Sequence, residues 1–399
     1  MINDKKSDCC GCTACVQICS HKAITMKDDE EGFQYPLVNN EKCVKCGLCV
    51  SSCPINVIDV EKQPPPTRVY AVKLKDAVVR KSSSSGGVFS SFATYFINSN
   101  GIVYGAAYDN DFRVRHICIC REDEIKKLRG SKYVQSDING IYSEIKVHLR
   151  NGRKVLFSGT PCQVYGLKTF LKKDYSNLYT IDILCHGVPS PKILEDYVKF
   201  VKHNSILPIR GLFMKDKTFG WGYQNLRIYY SHHISLFNTK ISNLWNRLYY
   251  GHCILRPSCY SCKFTSINRV GDISIGDYWN IEKYHPSFFD DKGVSLVLIN
   301  SSKGLEIWKN TVSNYDFIES EIDKCLQPVL QRPVQSPVDR HRFWSIYHKK
   351  GFRGVIRNEY NISIKDRILF ILIQIKCIVK KMLPYESSFI SWRFWLTHK

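Results

Sequence analysis

Two cysteine runs near the start of this sequence restrict its fold more than any other feature. Each run has a C-x2-C-x2-C-x3-C spacing, from Cys9 to Cys19 and from Cys43 to Cys53. In bacterial two-cluster ferredoxins the first three cysteines of such a run bind one 4Fe–4S cluster and the fourth binds the other. The spacing therefore predicts an N-terminal ferredoxin domain with two 4Fe–4S clusters. The ligand sets would be Cys9, Cys12, Cys15 and Cys53 for one cluster, and Cys19, Cys43, Cys46 and Cys49 for the other.

Zinc is the alternative occupant of so many thiolates. A structural zinc ion takes four ligands, usually as two close pairs, and two interlocked groups of four fit clusters better. The chain has 18 cysteines, and its first eight residues are polar and charged, without the apolar segment of an export signal. We therefore expect reduced thiols and a cytoplasmic location.

The segment after residue 60 indicates a domain boundary. Residues 61–68 contain three consecutive prolines, which cannot lie inside a helix or a central strand. The predicted ferredoxin domain is therefore 1–60, and 61–68 is a stiff linker.

The body after the linker has a mixed α/β pattern. Residues 154–158 predict a strand, 163–171 a helix and 178–184 another strand, which is the order of a parallel sheet unit. Ligands bind beyond the carboxyl ends of such strands, where Cys162 and Cys185 would lie. Together with the pair Cys259 and Cys262 they could bind a third 4Fe–4S cluster. Ordinary buried cysteines are the alternative, and Cys253 is a rival ligand.

Two loops could bind phosphate. Ser85, Gly86 and Gly87 precede a predicted helix, where backbone N–H groups can bind an anion, although a plain flexible turn has the same sequence. Residues 129–136 hold a cation with several hydroxyl and amide groups, which suit either a second phosphate contact or a solvated surface.

The net charge of +21 is unevenly distributed. Residues 1–60 hold 6 Lys and Arg against 8 Asp and Glu, whereas residues 340–399 hold 13 against 3. This balance favours electron-transfer partners or an anionic small substrate. No recognition motif supports nucleic acid as a partner.

Residues 367–383 are apolar with basic interruptions and too short to span a bilayer. A helix on an anionic membrane surface and a helix packed on the body are equal interpretations of this segment.

Six segments in one order carry a family resemblance: 84–89, 128–136, 157–163, 185–190, 256–264 and 272–279. Through them the chain resembles the beta-subunit family of coenzyme F420 (deazaflavin) hydrogenases and dehydrogenases, in the form with a fused ferredoxin domain. The resemblance covers residues 1 to about 320. It implies a mixed α/β body that binds FAD beside the third cluster, with 69–152 and 153–320 as its two parts. Residues 321–399 would form a basic C-terminal tail, with an amphipathic helix as one interpretation.

The resemblance also implies roles for individual residues. The candidate flavin contacts are Ser85, Gly86, Gly87, Lys132, Tyr133, Gln135, Ser136, Gly159 and Thr160. Cys162, Cys185, Cys259 and Cys262 become the candidate ligands of the third cluster. His186 and Lys217 are candidates for proton donation or for pairing with substrate charge.

The expected function is an FAD-dependent iron–sulfur oxidoreductase. Electrons from a redox partner would enter the ferredoxin domain and pass through the third cluster and FAD to a small organic substrate. That substrate could be the deazaflavin coenzyme or, in a bacterial setting, a compound of polysaccharide biosynthesis. The alternative is an electron-transfer subunit that has no substrate of its own and serves a partner enzyme.

Overall fold

The N-terminal unit is small and is built around its cysteine loops. The structure, a computed structural model, describes residues 5–223 and 225–382. Strands β1 (Ile24–Asp28) and β2 (Gln34–Val38) form an antiparallel pair. Three one-turn helices, α1 (Ala14–Gln17), α2 (Leu48–Ser51) and α3 (Pro54–Val57), follow cysteines of the two runs. Gly47 begins α2 at a φ of +77°, a conformation that glycine adopts without strain.

The body is organised around one eight-stranded sheet. Its strands are β3 (Arg68–Leu74), β4 (Ile102–Tyr108), β5 (Val114–Ile119), β6 (Val155–Gly159), β7 (Leu178–Ile183), β11 (Ile273–Asp277), β12 (Ser295–Ile299) and β13 (Tyr315–Ser320). The spatial order is β13-β3-β12-β11-β7-β6-β4-β5. The four strands β11, β7, β6 and β4 are parallel neighbours, and the outer pairs are antiparallel. The fold class is therefore mixed α/β, as predicted.

Helices cover both faces of this sheet. They are α4 (Ala77–Lys81), α5 (Val88–Asn98), α6 (Ile125–Leu128), α7 (Ile141–Arg150), α8 (Pro161–Leu171), α11 (Ile281–Tyr284), α12 (Ser302–Thr311) and α13 (Ile322–Cys325). On one face, Phe92 of α5 and Trp308 of α12 pack against alternate sheet residues such as Leu156. On the other face, α7 and α8 pack against the intervening residues, including Phe157. The predicted segment 154–184 forms β6, α8 and β7, with the two strands parallel.

A second layer lies beside the sheet. It contains the antiparallel strands β8 (Ile209–Asp216), β9 (Asn225–Tyr230) and β10 (Ser235–Leu236), and the helices α9 (Pro191–His203), α10 (Leu244–Tyr250), α14 (Arg340–Asn358) and α15 (Ile364–Met382). Helix α14 is kinked at Gly351, where φ is +64°. Phe343 and Trp344 of α14 and Phe370 of α15 are buried in one core with α9 and α10.

Residues 340–382 are therefore packed helices, not a separate tail. The apolar side chains that made this segment unusual in sequence supply part of a core. Residues 383–399 of the expected tail lie outside the described residues. Among the residues that are described, no helix is long and apolar enough to cross a membrane.

The N-terminal unit is docked on the body. Thr169 of α8 donates to the Ser52 carbonyl oxygen at 2.7 Å, and Lys172 donates to that of Ser51 at 2.7 Å. Gln17 of α1 donates to the carbonyl of Ile138, near the start of α7, at 3.2 Å. The proline-containing linker 61–68 thus joins two units that are in direct contact.

Candidate functional site

The first group of thiols is partly to fully buried where the N-terminal unit meets α8. It contains Cys9, Cys12, Cys15 and Cys53. The pKa of Cys15 is raised to about 12, first by burial and then by neighbouring Cys9 and Cys53. The pKa of Cys12 is also raised, by burial and by Cys15 and Cys53. Thiolates crowded in this way are unfavourable on their own, and a bound cationic cluster would offset their repulsion.

The second group lies at the surface of the N-terminal unit. Cys43 and Cys49 are partly buried and Cys46 is exposed. Burial raises the pKa of Cys49, and Cys43 and Cys46 raise it further, so these three thiols are neighbours. Cys19, at the end of α1, accepts a backbone N–H from Ala23 at 3.4 Å from its sulfur.

The third group comes from three separate segments of the body. Cys162 lies in the first turn of α8, Cys185 follows β7, and Cys259 and Cys262 lie in and after a single 3-10 turn. Burial raises the pKa of Cys185 to about 12, and Cys162 and Cys262 contribute. The pKa of Cys259 is raised by burial and by the other three thiols. The four therefore occupy one site, lining a cavity of about 50 Å³.

Cys253 lies apart from this group. It is buried in the core beneath α14, where Trp344 donates its indole N–H to the Cys253 carbonyl at 3.0 Å. Burial raises its pKa to about 11, and the Asp339 carboxylate adds to this increase, whereas the Arg340 guanidinium opposes it.

Cys10 connects the first and third groups. Its side chain is in hydrogen-bond contact with the thiols of both Cys12 and Cys162. Spacing alone puts Cys10 out of register with the ferredoxin ligands, so the sequence pattern gave no signal for this contact. The interface between the two units therefore brings a ferredoxin cysteine close to the third group.

Arg256 forms hydrogen bonds with both units at the same interface. Its guanidinium donates to the Cys9 carbonyl at 2.6 Å, the Gln34 carbonyl at 2.8 Å and the Gln135 side-chain oxygen at 2.9 Å. It also stacks over Tyr35 at 4.3 Å and is fully buried. Arg256 stands three residues before Cys259, so it links the ferredoxin loop, the third thiol group and the 129–136 loop.

A cavity of about 290 Å³, larger than the one at the third thiol group, lies at the carboxyl ends of the parallel strands. Its wall includes Ser158 and Gly159 of β6, Ile183 of β7 and Asp277 of β11. This is where open parallel sheets bind ligands. Seven predicted flavin contacts line it: Ser85, Gly87, Lys132, Tyr133, Ser136, Gly159 and Thr160.

The other two predicted flavin contacts, Gly86 and Gln135, do not line the cavity. A Cβ on Gly86 would be 2.3 Å from the Val72 carbonyl oxygen and 2.6 Å from the Ser295 nitrogen, so this glycine permits close packing. Gln135 is bonded to Arg256 and donates to the Cys10 carbonyl at 3.2 Å.

A chain of hydrogen bonds fixes the polar side of the cavity. His116 contacts the Ser158 carbonyl with Nε2 and the Ser136 hydroxyl with Nδ1, each at 3.0 Å. Gln163 donates to that hydroxyl at 2.9 Å and accepts from the Thr160 N–H at 3.0 Å. Burial lowers the pKa of His116 to about 4, so the ring is neutral at pH 7.

The cavity touches the third thiol group. The Thr160 hydroxyl lies 3.2 Å from the Cys162 sulfur, and Val188 lines both cavities. Thr160 caps α8 in a capping box with Gln163, and Pro161 follows at the first helical position. One helix start therefore positions both a cavity wall residue and a thiol.

Three family models match the chain in order. A 4Fe-4S dicluster domain matches residues 8–57. The N-terminal model of the coenzyme F420 hydrogenase/dehydrogenase beta subunit matches residues 69–142, and the C-terminal model of that subunit matches residues 152–324. The two beta-subunit models together span more than half of the chain.

The chain belongs to the coenzyme F420 hydrogenase/dehydrogenase beta-subunit family. This confirms the predicted resemblance. It makes the chain an iron–sulfur redox protein of an oxidoreductase family, with an N-terminal 4Fe–4S ferredoxin domain.

Individual relatives match this beta-subunit-family protein over different lengths. The coenzyme F420-dependent sulfite reductase of Methanocaldococcus jannaschii is 22% identical in an alignment 369 positions long, gaps included, which covers 80% of this chain and 54% of that protein. The chain thus spans about half the length of that relative. The ferredoxin-type protein NapF of Haemophilus influenzae is 43% identical over 47 residues, 12% of this chain and 27% of its own. A chain in a structure of the F420-reducing [NiFe] hydrogenase complex from Methanosarcina barkeri superposes with a TM-score of 0.46 at 17% identity, covering 75% of this chain and 92% of that one.

The two predicted proton donors of this family member lie outside the larger cavity. His186 contacts His252 through their Nε2 atoms at 2.7 Å and lines the small thiol cavity. Lys217 donates to the carbonyls of Arg80, Ser85 and Lys292 at 2.7, 2.9 and 2.7 Å. Burial lowers its pKa to about 7, helped by the cations Arg80 and Lys215.

The sequence did not single out several residues of this site. His116 lies in an unremarkable segment, and its role appears only when strands and loops meet. Arg256 and Arg129 lie within the family segments but were not predicted as site residues. Arg129 lines the cavity and donates to the hydroxyls of Ser90 at 3.0 Å and Ser82 at 2.9 Å. Asp277 also lines the cavity and is paired with buried Lys215 at 2.5 Å.

Proposed function

We propose that this chain carries electrons between a redox partner and a flavin in the larger cavity, by way of three 4Fe–4S clusters, and that the flavin reduces or oxidises a small organic substrate. Two clusters would lie in the ferredoxin domain, on the eight cysteines of its two runs. The third would be bound by Cys162, Cys185, Cys259 and Cys262.

The observation that carries this proposal is the succession of sulfur sites toward the cavity. Cys49 of the second thiol group acts electrostatically on Cys15 of the first group, and Cys46 of the second group is exposed. Cys10 lies beside both Cys12 and Cys162, and the Thr160 hydroxyl on the cavity wall lies next to the Cys162 sulfur. Such an arrangement suits electron transfer from the surface to an enclosed site.

FAD suits the cavity by the chemistry of its walls. The N-terminus of α5, with Gly87 at a φ of +92°, and the Arg129 guanidinium are groups that would hold a diphosphate. Ser85, Ser136 and Thr160 supply hydroxyls, and the Tyr133 ring, stacked on Tyr249 at 4.6 Å, supplies a rigid aromatic wall. A bound flavin exchanges single electrons with clusters and two electrons with an organic substrate.

The protein's own residues would orient the ligand and exclude water. The bonded series His116, Ser136, Gln163 and Thr160 fixes one wall, and the neutral imidazole of His116 leaves no charge there. Lys217 binds the carbonyls of Ser85 and Arg80, so we assign it to positioning the serine-rich turn and not to proton donation. We likewise assign His186 to the surroundings of the third thiol group.

An anionic substrate suits the charge of the body. The net charge of the chain is +21, and the Arg129 guanidinium lines the cavity. The deazaflavin coenzyme and an anionic compound of polysaccharide biosynthesis both meet this condition. A cytoplasmic location is part of the proposal, since all 18 cysteines are free thiols, as cluster ligation requires.

A second candidate function is electron transfer to a partner enzyme without a substrate of the chain's own. The length of the M. jannaschii relative favours it, because the matched region is only 54% of that protein. In that case the cavity would hold a flavin that delivers electrons to a separate catalytic protein.

Anaerobic purification followed by iron, sulfide and flavin analysis tests the proposal. About twelve iron atoms and one FAD per chain would support it, since three 4Fe–4S clusters hold twelve irons. About eight iron atoms with no flavin would overturn both the third cluster and the flavin site. The loaded chain, reduced with dithionite and freed of its excess, should then be mixed with oxidised F420 or with candidate oxidised anionic sugar derivatives, and the oxidised chain should be mixed separately with reduced F420. Reoxidation of the flavin by a small molecule alone supports the enzyme, whereas reoxidation only by an added partner protein supports the second candidate.

A further inference from the structure

The outward face of α15 carries a stripe of large aliphatic side chains. Ile364, Ile368, Leu372, Ile375 and Val379 are spaced by four, four, three and four residues, which places them along one side of a helix. Each is between 43% and 71% exposed, and Leu369 beside them is 56% exposed. The solvent-exposed face of α15 therefore carries the kind of aliphatic side chains that are usually buried in a protein core.

The opposite face of α15 is fixed to the body. Phe370 and Gln374 are buried, and Gln374 accepts the Ile206 N–H at 3.1 Å. Arg367 donates to the Asn204 side-chain oxygen at 2.7 Å. The helix is therefore held in place by one face, and the stripe is presented outward as a rigid surface.

Lysines border the stripe on one side. Lys365, Lys376 and Lys380 are exposed and, at 100° per residue, follow each other along the edge of the aliphatic row. The one acidic residue of the helix, Asp366, is already paired with Lys240 at 3.0 Å. An aliphatic row with a cationic border is the pattern of a helix that lies in the interface of an anionic bilayer.

The sequence that follows the helix has the same character. Residues 383–399 contain Trp392, Trp395, Phe389 and Phe394 among basic residues. Tryptophan with basic residues is typical of segments at the level of lipid headgroups. If a partner protein covered this face instead of a bilayer, its surface would need acidic groups opposite the lysines.

We infer that this chain docks on anionic lipid bilayers through the exposed face of α15, with the helix parallel to the membrane plane. The inference is independent of the proposed redox function, because it uses no residue of the cysteine groups or of the larger cavity. Docking through α15 would place the body at a membrane surface, where the chain would then bind its partners and substrates.

Vesicle co-sedimentation of the full chain tests this inference. We expect binding to vesicles of equal parts phosphatidylglycerol and phosphatidylcholine, and much weaker binding to phosphatidylcholine alone. Leu372→Gln with Ile375→Gln should reduce the partition coefficient at least about tenfold, since two aliphatic side chains leave the acyl boundary. Val78→Gln with Val147→Gln, which changes two aliphatic side chains elsewhere that are at least as exposed, is the control and should bind as the parent does.

A charge variant separates the two contributions. Lys365→Gln with Lys380→Gln should weaken binding to the anionic vesicles by about fivefold per lysine at low salt, and leave the weak binding to phosphatidylcholine unchanged. The inference is overturned if the parent chain stays in the supernatant, or if the Leu372 and Ile375 variant sediments with the vesicles as the parent does. It is also overturned if light scattering shows a parent dimer that this variant converts to a monomer, since the stripe would then be an interface between two copies.

Discussion

The Thr160 hydroxyl lies 3.2 Å from the Cys162 sulfur, across the first turn of α8. Thr160 lines the larger cavity and Cys162 belongs to the third thiol group. The capping box that begins the helix fixes both at once. A ligand in the cavity and a cluster on the thiols would therefore be held at a set separation by one local structure.

Replacing Cys162 by serine should remove one cluster and leave the other two. We expect the iron content to fall by about four atoms per chain, because a three-thiol site holds a 4Fe–4S cluster poorly. Cys253→Ser is the matched control, since Cys253 is buried in a different core. Iron and sulfide analysis with electron paramagnetic resonance measures the result. Loss of iron in the control and retention in the Cys162 variant would reverse the ligand assignment.

Removing the guanidinium of Arg256 should loosen the contact between the ferredoxin domain and the body. Arg256→Gln leaves the carbonyls of Cys9 and Gln34 without their buried donor, and we expect the free energy of unfolding to fall by about 3 kcal/mol. Urea unfolding under anaerobic conditions measures this. Arg121→Gln, at an exposed arginine, should change it by less than about 0.5 kcal/mol. Equal effects in the two variants would mean that Arg256 contributes no more than a surface residue.

A methyl group at Gly86 should disturb the sheet below the cavity. Gly86→Ala would force its Cβ against the Val72 carbonyl oxygen and the Ser295 nitrogen, both of which are backbone atoms of paired strands. We expect a loss of about 2 kcal/mol in the free energy of unfolding, together with reduced flavin content. Gly222→Ala meets no atom within 4 Å and serves as the control. A Gly86 variant as stable as this control would contradict the close packing.

Lys217 should make the stability of the chain depend on pH. Its pKa is lowered to about 7 in the folded chain and is near 10.4 in the unfolded chain. Between these values the unfolded chain binds the proton and the folded chain does not. The contribution of Lys217 to the free energy of unfolding therefore rises with pH from about 7 upward, by at most about 1.4 kcal/mol per pH unit.

Unfolding by urea at pH 7, 8 and 9 measures this slope. Lys217→Met should flatten the curve relative to the parent. Lys309→Met, at an exposed lysine of α12, should leave the slope unchanged. Parallel curves for the parent and the Lys217 variant would show that this amine titrates alike in the folded and unfolded chains.

The features that could be predicted from the sequence are those that depend on residues close together in the chain. The spacing of the eight cysteines in the two N-terminal runs, the β6–α8–β7 unit and the segments 84–89 and 128–136 were sufficient to predict a ferredoxin domain and a ligand site at the strand ends. The position of Gly86 behind the cavity wall was not predictable, because its close neighbours Val72 and Ser295 come from two distant strands. The contact of Cys10 with Cys162 depends on how two units dock, which no local pattern encodes. The apolar segment of α15 was ambiguous for a physical reason, since one of its faces is packed and the other is exposed.

The position of β3 between β13 and β12 has a consequence for how the chain is made. This strand directly follows the linker, yet it pairs on both sides with β12 and β13, more than 220 residues later. On a translating ribosome the ferredoxin domain, whose contacts are local, is complete long before the partners of β3 emerge. Iron insertion into the first two cysteine runs can therefore precede closure of the large sheet. The third thiol group is completed only after residue 262 has left the exit tunnel, so a cluster proposed for that group could form only after the ferredoxin domain is able to bind its own.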